Sequence, residues 1–429
     1  MQRSSLRNYI QPTRHACAFV IHRLHIHRNR TSLHRSFIKP RLPIPRADPE
    51  TTTRLDNNSD DDELLEIDIP DPQHLHITDT FSPSLVTKLR SHFDLRFQNP
   101  LSSSSDRFIW DYWYVPNQYK LLRTPAEAFF PPHLYDDLVD QLTAFGESVL
   151  GCRGLSPIWL SYYIDGCKQE LHTDAPHGPW AFVLSLTTTC PATATPRPDS
   201  NHDSNSNSNQ RNPKYLLQGG ETFLLNPEVV LGNYWAQLNP STGLETPQLT
   251  IHVKPELGRL TVFDGRIPHG VNQVRGADDP LDARVVLHGW FTPPTPFYSW
   301  TSTGLEGDKE KEREEAESER ITPMLNQLLD AIYGQLEGEQ QGGGCVGTVV
   351  VRVKVNTATG RTEDVQFLTN TLVARSSEGC DDRIGVIGTI LDHLFAAAWG
   401  SDSRSASSSL VGQEEGLIMM EITIPFTFQ

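Results

Sequence analysis

The spacing of apolar positions changes period several times along this chain. Over PPHLYDDLVDQLTAFGESVLG the residues Leu134, Leu138, Leu142, Phe145 and Val149 recur three or four apart. That predicts an amphipathic helix, stopped by Gly151, lying on the outside of a sheet. From Ser156 the pattern becomes short apolar runs broken by Gly, Pro and Asp: PIWLSYYI, QELHTD, WAFVLSLTT, GETFLL, LTIHVKP, RLTVFDG, PHGVNQV and ARVVLHGWF. Eight short strands with turn signals between them predict a double-stranded β-helix (jelly roll) in a mainly β chain with flanking helices. Past Pro293 the charge-dense stretch GDKEKEREEAESER predicts a solvated helix running on to Gly334. Alternation then returns in GTVVVRVKVNTATG, EDVQFLTNTLV and GLIMMEITIPFTF, with a helical stripe of Ile384, Ile387, Leu391 and Leu394 before the last of these. This predicts a small α+β unit of three strands, with helix 384–399 covering the face shared by Val349, Val351, Val353 and Val355.

The segments between these blocks set the domain boundaries. Residues 1–47 hold nine arginines and Lys39 with no acid before Asp48, the composition of an organelle transit peptide. A mitochondrial or plastid destination is expected, and a cytoplasmic one if the segment is only a basic tail. Residues 48–64 form an acidic linker, and 65–295 the main β domain. Within it ATATPRPDSNHDSNSNSNQRNPK, at about 190–214, is too polar to pack and is expected to be a disordered insertion. Residues 305–344 comprise the charged helix and the Gly-rich connector GEQQGGG, and 345–429 the small C-terminal unit, expected to fold on its own with a role in binding a protein partner.

Charge and cysteine usage narrow the classes. Ten of the 37 Lys and Arg lie in the first 47 residues, so the remainder carries 27 against 53 Asp and Glu. So acidic a body repels nucleic acid and anionic lipid, and neither is expected as a partner. No apolar run reaches the roughly 18 to 20 residues needed to span a bilayer. The six cysteines are scattered with no Cys-x-x-Cys pair, which fits a reducing compartment and no structural zinc.

The candidate chemistry lies in four pieces of the β domain. In ELHTD, His172 and Asp174 are two apart, and in an extended strand such residues share a face and can reach one metal. His-x-Asp alone is a short motif that also describes a histidine at a surface strand end. GGETF follows at Gly219 to Phe223, then His269 in FDGRIPHGV, at the end of an apolar strand or as an ordinary turn histidine. Arg284 in DARVVLHGWF sits among apolar neighbours, facing either outward or into the barrel, where its desolvation would demand a partner. Two imidazoles and a carboxylate form a facial set that holds Fe(II) and leaves coordination positions open. His252 and His288 lie mid-strand, where a satisfied histidine is the plainer reading, and His177 falls in a loop.

Taken together, Tyr-x-x-Gly before His-x-Asp, GGETF, Phe-Asp before His-Gly-Val-x-x-Val, and RVVLxxWF resemble the iron- and 2-oxoglutarate-dependent dioxygenases, most closely their prolyl 4-hydroxylase-like branch, over about residues 155–292. The resemblance implies that His172, Asp174 and His269 hold Fe(II), and that Arg284 pairs with the distal carboxylate of 2-oxoglutarate. It further implies that Tyr163 lines the co-substrate pocket with Thr222 facing it, that O2 is consumed and that ascorbate keeps the iron reduced. The implied reaction is hydroxylation of an unactivated C–H, in a prolyl or other protein residue or in a small molecule. The alternative is a jelly-roll binding module without turnover. Two departures from the family stand out. Seven residues, Ala277 to Ala283, separate Gly276 from Arg284, so Arg275 and Arg266 compete for its place, and a second pocket tyrosine is replaced near Ser185. The C-terminal unit resembles a TonB/AgmX C-terminal domain.

Overall fold

The computed structural model of the chain describes residues 70–98, 110–188, 217–227, 249–300, 308–339, 345–356, 359–374, 380–400 and 419–428. The basic N-terminus, the acidic linker, the insertion expected at 190–214 and residues 340–344 of the Gly-rich connector lie outside them.

Elements that periodicity does not reveal come first: β1 (Leu75–Thr78), α1 (Pro83–Gln98), β2 (Asp111–Val115), β3 (Tyr119–Pro125) and the short α2 (Ala126–Phe129). Strand β2 is exposed along almost its whole length, so no alternation of buried and exposed positions marks it. The expected helix follows as α3 (Pro132–Phe145), with Pro132 in its first turn and Leu134, Leu138 and Leu142 buried. A single π turn continues it to Leu150, and Gly151 closes it at φ 69°, a left-handed conformation that suits glycine.

The eight runs become β4 (Trp159–Tyr163), β5 (Lys168–His172), β6 (Trp180–Ser185), β7 (Thr222–Leu225), β8 (Thr250–Val253), β9 (Leu260–Asp264), β10 (His269–Val271) and β11 (Arg284–Phe291). They pair in two sets of four, β9-β6-β11-β4 and β5-β10-β7-β8. The chain crosses between the sets at every step except β7 to β8, which is the connectivity of a jelly roll. Strand β3 joins the sets by pairing with both β4 and β5, while β1 extends the first set beside β9 and β2 pairs with β3.

Period two then sorts the side chains. Leu160, Tyr162, Phe182, Leu184, Val262, Val285 and Leu287 pack with Leu85, Leu89 and Phe93 of α1 and Leu138 and Leu142 of α3 in one core. Each such apolar side chain contributes about 1.5–3 kcal/mol by leaving water. The alternate positions of the same strands, Tyr163, Arg284, Val286 and His288, face the other way and line a cavity.

The chain leaves the jelly roll through β12 (Phe297–Trp300) and continues as α4 (Asp308–Glu339), β13 (Cys345–Asn356), β14 (Arg361–Asn370), β15 (Val373–Ala374), α5 (Cys380–Ala396) and β16 (Met419–Phe428). The second sheet runs β12-β16-β13-β14, with β15 beside the start of β13. It therefore has five strands where three are expected, because β12 is drawn from the segment between the domains and β15 is a short separate strand after β14. Helix α4 is no merely solvated helix: Ile321, Leu325, Ile332 and Leu336 enter the same core as Val349, Val351, Val353 and Val355. The stripe of α5 starts later than expected. Val386, Ile387, Ile390, Leu391 and Leu394 are buried, whereas Ile384 is exposed.

The second sheet rests on the jelly roll, and both lie in one compact unit. Gln73 N donates to Asn370 O at 2.8 Å and Asn370 Nδ2 to Pro70 O at 2.8 Å. Thr369 Oγ1 donates to Leu150 O at 3.3 Å, and Arg266 Nη2 to Thr371 O at 2.9 Å. A methyl group on Gly151 would stand 2.3 Å from Val350 Cγ1, so backbone and side chain there are in closest packing.

Candidate metal centre

His172 ends β5 and His269 begins β10, and the two are directly opposed across the ladder. Their rings lie 4.3 Å apart by centroid. Asp174 follows in the turn after β5, its N–H bonded to Gly265 O at 2.9 Å. Its Oδ1 is 3.8 Å from His172 Nε2 and its Oδ2 3.3 Å from His269 Nε2. One ligand atom from each of the three lies within 4.8 Å of the others, the only such His/Cys/Asp/Glu group among the described residues.

The backbone fixes which imidazole nitrogen is free. His172 Nδ1 lies 2.8 Å from Glu170 O and His269 Nδ1 3.0 Å from Ile267 O. A carbonyl only accepts, so each Nδ1 carries the proton and each Nε2 presents a lone pair inward. Burial lowers the His172 pKa and the neighbouring His269 lowers it further, which favours the neutral ligand form. Burial alone would raise Asp174, but His269, Trp290 and His172 outweigh it and hold the carboxyl at about 2. Neutral imidazole nitrogens with an ionised carboxylate, and no thiolate, suit a divalent first-row metal such as Fe(II).

The cavity behind this cluster has a volume of about 160 Å³. Arg284 lies within it at 1% relative exposure, more deeply buried than any of the three ligands. Its Nη2 donates to Thr222 Oγ1 at 3.0 Å, and its Cζ sits 4.5 Å over the ring of Tyr163. Nε and Nη1 have no hydrogen-bond partner. Burial lowers the Arg284 pKa, with Tyr163 and Glu221 opposing. Tyr163 is equally buried and donates to Gln169 Oε1 at 2.9 Å.

The register across residues 277–283 is held by the loop itself. Asp165 Oδ1 accepts from Gly276 N, Asp165 N donates to Ala277 O, and the 3-10 turn Pro280–Asp282 buries Leu281, whose N–H is capped by Asp279. Arg284 therefore enters β11 opposite Tyr163. The competitors are elsewhere: Arg275 is exposed, and Arg266 pairs with Asp264. Ser185 lies off the cavity, its Oγ accepting from Thr187 N, and Val183 lines the wall from that strand instead.

The structure also brings in residues that the motifs do not mark. Trp113, Tyr119 and Arg123 reach the cavity from the β2–β3 hairpin, and Tyr119 meets His172 edge-on at 5.2 Å. The aromatic run DYWYV is the sequence signal for this hairpin, but it carries no periodicity. His177 stacks on Trp290 at 4.5 Å, and both line the cavity. His288 is satisfied as expected, 2.8 Å from Ser161 Oγ, and burial pushes its pKa down to about 4. His252 stands apart, beside Thr250 and Asn272.

No family model matches the chain, and no curated protein does so. Among solved structures, a prolyl-4-hydroxylase from Pseudomonas putida aligns at 16% identity over 51% of this chain and 92% of its own, with a TM-score of 0.31. A prolyl hydroxylase from Trichoplax adhaerens, in complex with a hypoxia inducible factor peptide fragment, aligns at 15% identity over 51% and 83%, with a TM-score of 0.32. The non-heme alpha ketoglutarate dependent carbocyclase SnoK from nogalamycin biosynthesis aligns at 10% identity over 51% and 78%, with a TM-score of 0.33. Overlap this slight leaves the fold resting on the strand order itself, and none of these matches supports a TonB-like C-terminal unit. Among the described residues, no helix is long and apolar enough to cross a membrane.

Proposed function

We propose that this chain is an Fe(II)/2-oxoglutarate-dependent dioxygenase that hydroxylates an unactivated C–H, in a prolyl or other protein residue. One observation carries the reading. A fully buried guanidinium with two nitrogens that lack hydrogen-bond partners shares a cavity with a converged His-Asp-His set. A buried, unpaired cation is strongly unfavourable, and a carboxylate that pairs with it removes that cost while placing the rest of an anionic co-substrate toward the ligands. Arginine suits the task because its planar fork binds a carboxylate through two parallel hydrogen bonds.

His172, Asp174 and His269 would hold Fe(II), which supplies the oxidising chemistry that couples O2 and the loss of CO2 from 2-oxoglutarate to C–H hydroxylation, with ascorbate keeping it reduced. The carbonyls of Glu170 and Ile267 orient the two imidazoles. Arg284 and Thr222 bind the distal carboxylate, Tyr163 covers the guanidinium face, and the apolar walls at Val183, Phe263 and Val286 exclude water. The test is succinate release by the full chain with Fe(II), ascorbate and 2-oxoglutarate. Release that requires the metal and is lost in Asp174→Ala supports the reading. Binding of 2-oxoglutarate without succinate would make the chain a silent binding module, and hydroxylation of a free metabolite would move the substrate from protein to small molecule.

A further inference from the structure

The cavity holds a second arginine. Arg123 lines it from β3, opposite Ser161 of β4 and Asp111 of β2. Its Cζ lies 3.4 Å from the ring centroid of Trp113 and 4.2 Å from that of Trp159, so indoles from the flanking strands lie against the guanidinium. Contact with a π face satisfies charge but no N–H donor, because the donors lie in the guanidinium plane. Nε is buried without a hydrogen-bond partner. Asp111, its cross-strand neighbour, is exposed. Burial lowers the Arg123 pKa, with Asp111 and Tyr163 opposing.

The two arginines differ in depth. Arg284 is fully buried, whereas Arg123 is half-buried beside Trp113, which is 36% exposed on the outer hairpin. A co-substrate seated on Arg284 leaves Arg123 toward the mouth, on the side from which a second reactant must enter.

We infer that Arg123 is a second anion subsite and that the primary substrate presents a carboxylate to it. This rests on the oxygenase reading above and gives that reaction a substrate class. Trp113 and Trp159 hold the guanidinium plane in one orientation, so its in-plane donors meet an incoming carboxylate with little ordering left to lose. Arg123 is then a specificity-determining residue, selecting acids over their neutral amides.

The test uses the full chain with Mn(II) in place of iron and 2-oxoglutarate at saturation, so that Arg284 is already engaged. Benzoate is titrated against benzamide, and binding is read from the tryptophan emission of the indoles beside Arg123. Benzoate should bind at least ten-fold more tightly than benzamide, and Arg123→Met should abolish that preference. Thermal melting reports whether the Met variant is folded, and Arg123→Gln, of similar length and neutral, serves if it is not. Arg284→Met should lose 2-oxoglutarate while keeping the preference for benzoate. Equal binding of the two probes by the wild type, or an unchanged preference in folded Arg123→Met and Arg123→Gln, overturns the inference. Failure of the wild type to bind 2-oxoglutarate counts separately against the oxygenase reading.

Discussion

The jelly roll and the C-terminal unit are both antiparallel sheets with helices on one face, yet they use the second face differently. In the jelly roll the face turned from α1 and α3 curls around a cavity, and polar groups stay buried there without partners, Arg284 above all. In the C-terminal unit the helices cover one face, and the other settles on the jelly roll through Val350, Arg352, Thr369 and Thr423. Arg352 Nε and Thr423 Oγ1 on that packed face also lack hydrogen-bond partners, so what sets the jelly roll apart is a cavity into which a ligand could bring partners for Arg284. Among the described residues, the C-terminal unit contributes nothing to the metal-ligand cluster.

The comparison is not a clean division of labour. Turn 264–267 touches both ends of the centre: Gly265 O accepts from Asp174 N, and Ile267 O lies against His269 Nδ1. That turn is clamped by Asp264, which meets His74 and Arg266. Arg266 in turn reaches Thr371 O in the C-terminal unit. A sheet with no ligands of its own thus buttresses the turn that positions two of them.

Changes at the centre itself should have the largest effect. His269→Ala removes a ligand, and metal binding, measured as Mn(II) affinity, should fall together with succinate release to background. Retained affinity would show that the cluster is not the metal site. Arg284→Ala comes next. It should raise the 2-oxoglutarate requirement roughly 100-fold, about 3 kcal/mol, while metal content is largely kept. Arg266→Ala tests the buttress and should weaken metal affinity roughly 10- to 100-fold, the range for residues that orient ligands, with partial rescue by Arg266→Lys. Full affinity in Arg266→Ala would restore the simple division between the two regions.

Two smaller effects probe the walls. His288 stays neutral in the fold down to about pH 4, while the unfolded chain takes up that proton near pH 6.5. Its contribution is therefore complete above about 6.5 and declines as pH falls toward 4, by up to about 3 kcal/mol. Denaturant titrations of His288→Gln should show a flatter acid limb. Gly151→Ala introduces a methyl against Val350 at a left-handed residue and should cost about 1–3 kcal/mol, read as a lower melting temperature. No change in melting would mean that the two regions are not packed as closely as Gly151 and Val350 indicate.

Much of this was legible in the sequence because it is local. Three- and four-residue spacing placed the buried face of α3, and short runs with turn signals placed β4 to β11. The two-residue interval put His172 and Asp174 within reach of one ion, and GTVVVRVKV aligned the buried valines of β13. Each of these depends on geometry that repeats within a few residues of backbone.

The tertiary structure decided what local periodicity cannot encode. Only ladder pairing brings His269 opposite His172, and only the anchoring of residues 276–283 by Asp165 sets Arg284, rather than Arg275, against Tyr163. In the hairpin that supplies Trp113 and Arg123, β2 is exposed and non-alternating; β3 gains its place by pairing with β4 and β5, and β2 by pairing with β3. The same holds for Thr371 O beneath Arg266 and for Ile384 left in solvent. A side chain's period is set by the backbone it sits on, whereas its partner across the sheet or between domains is set by chain closure over tens or hundreds of residues.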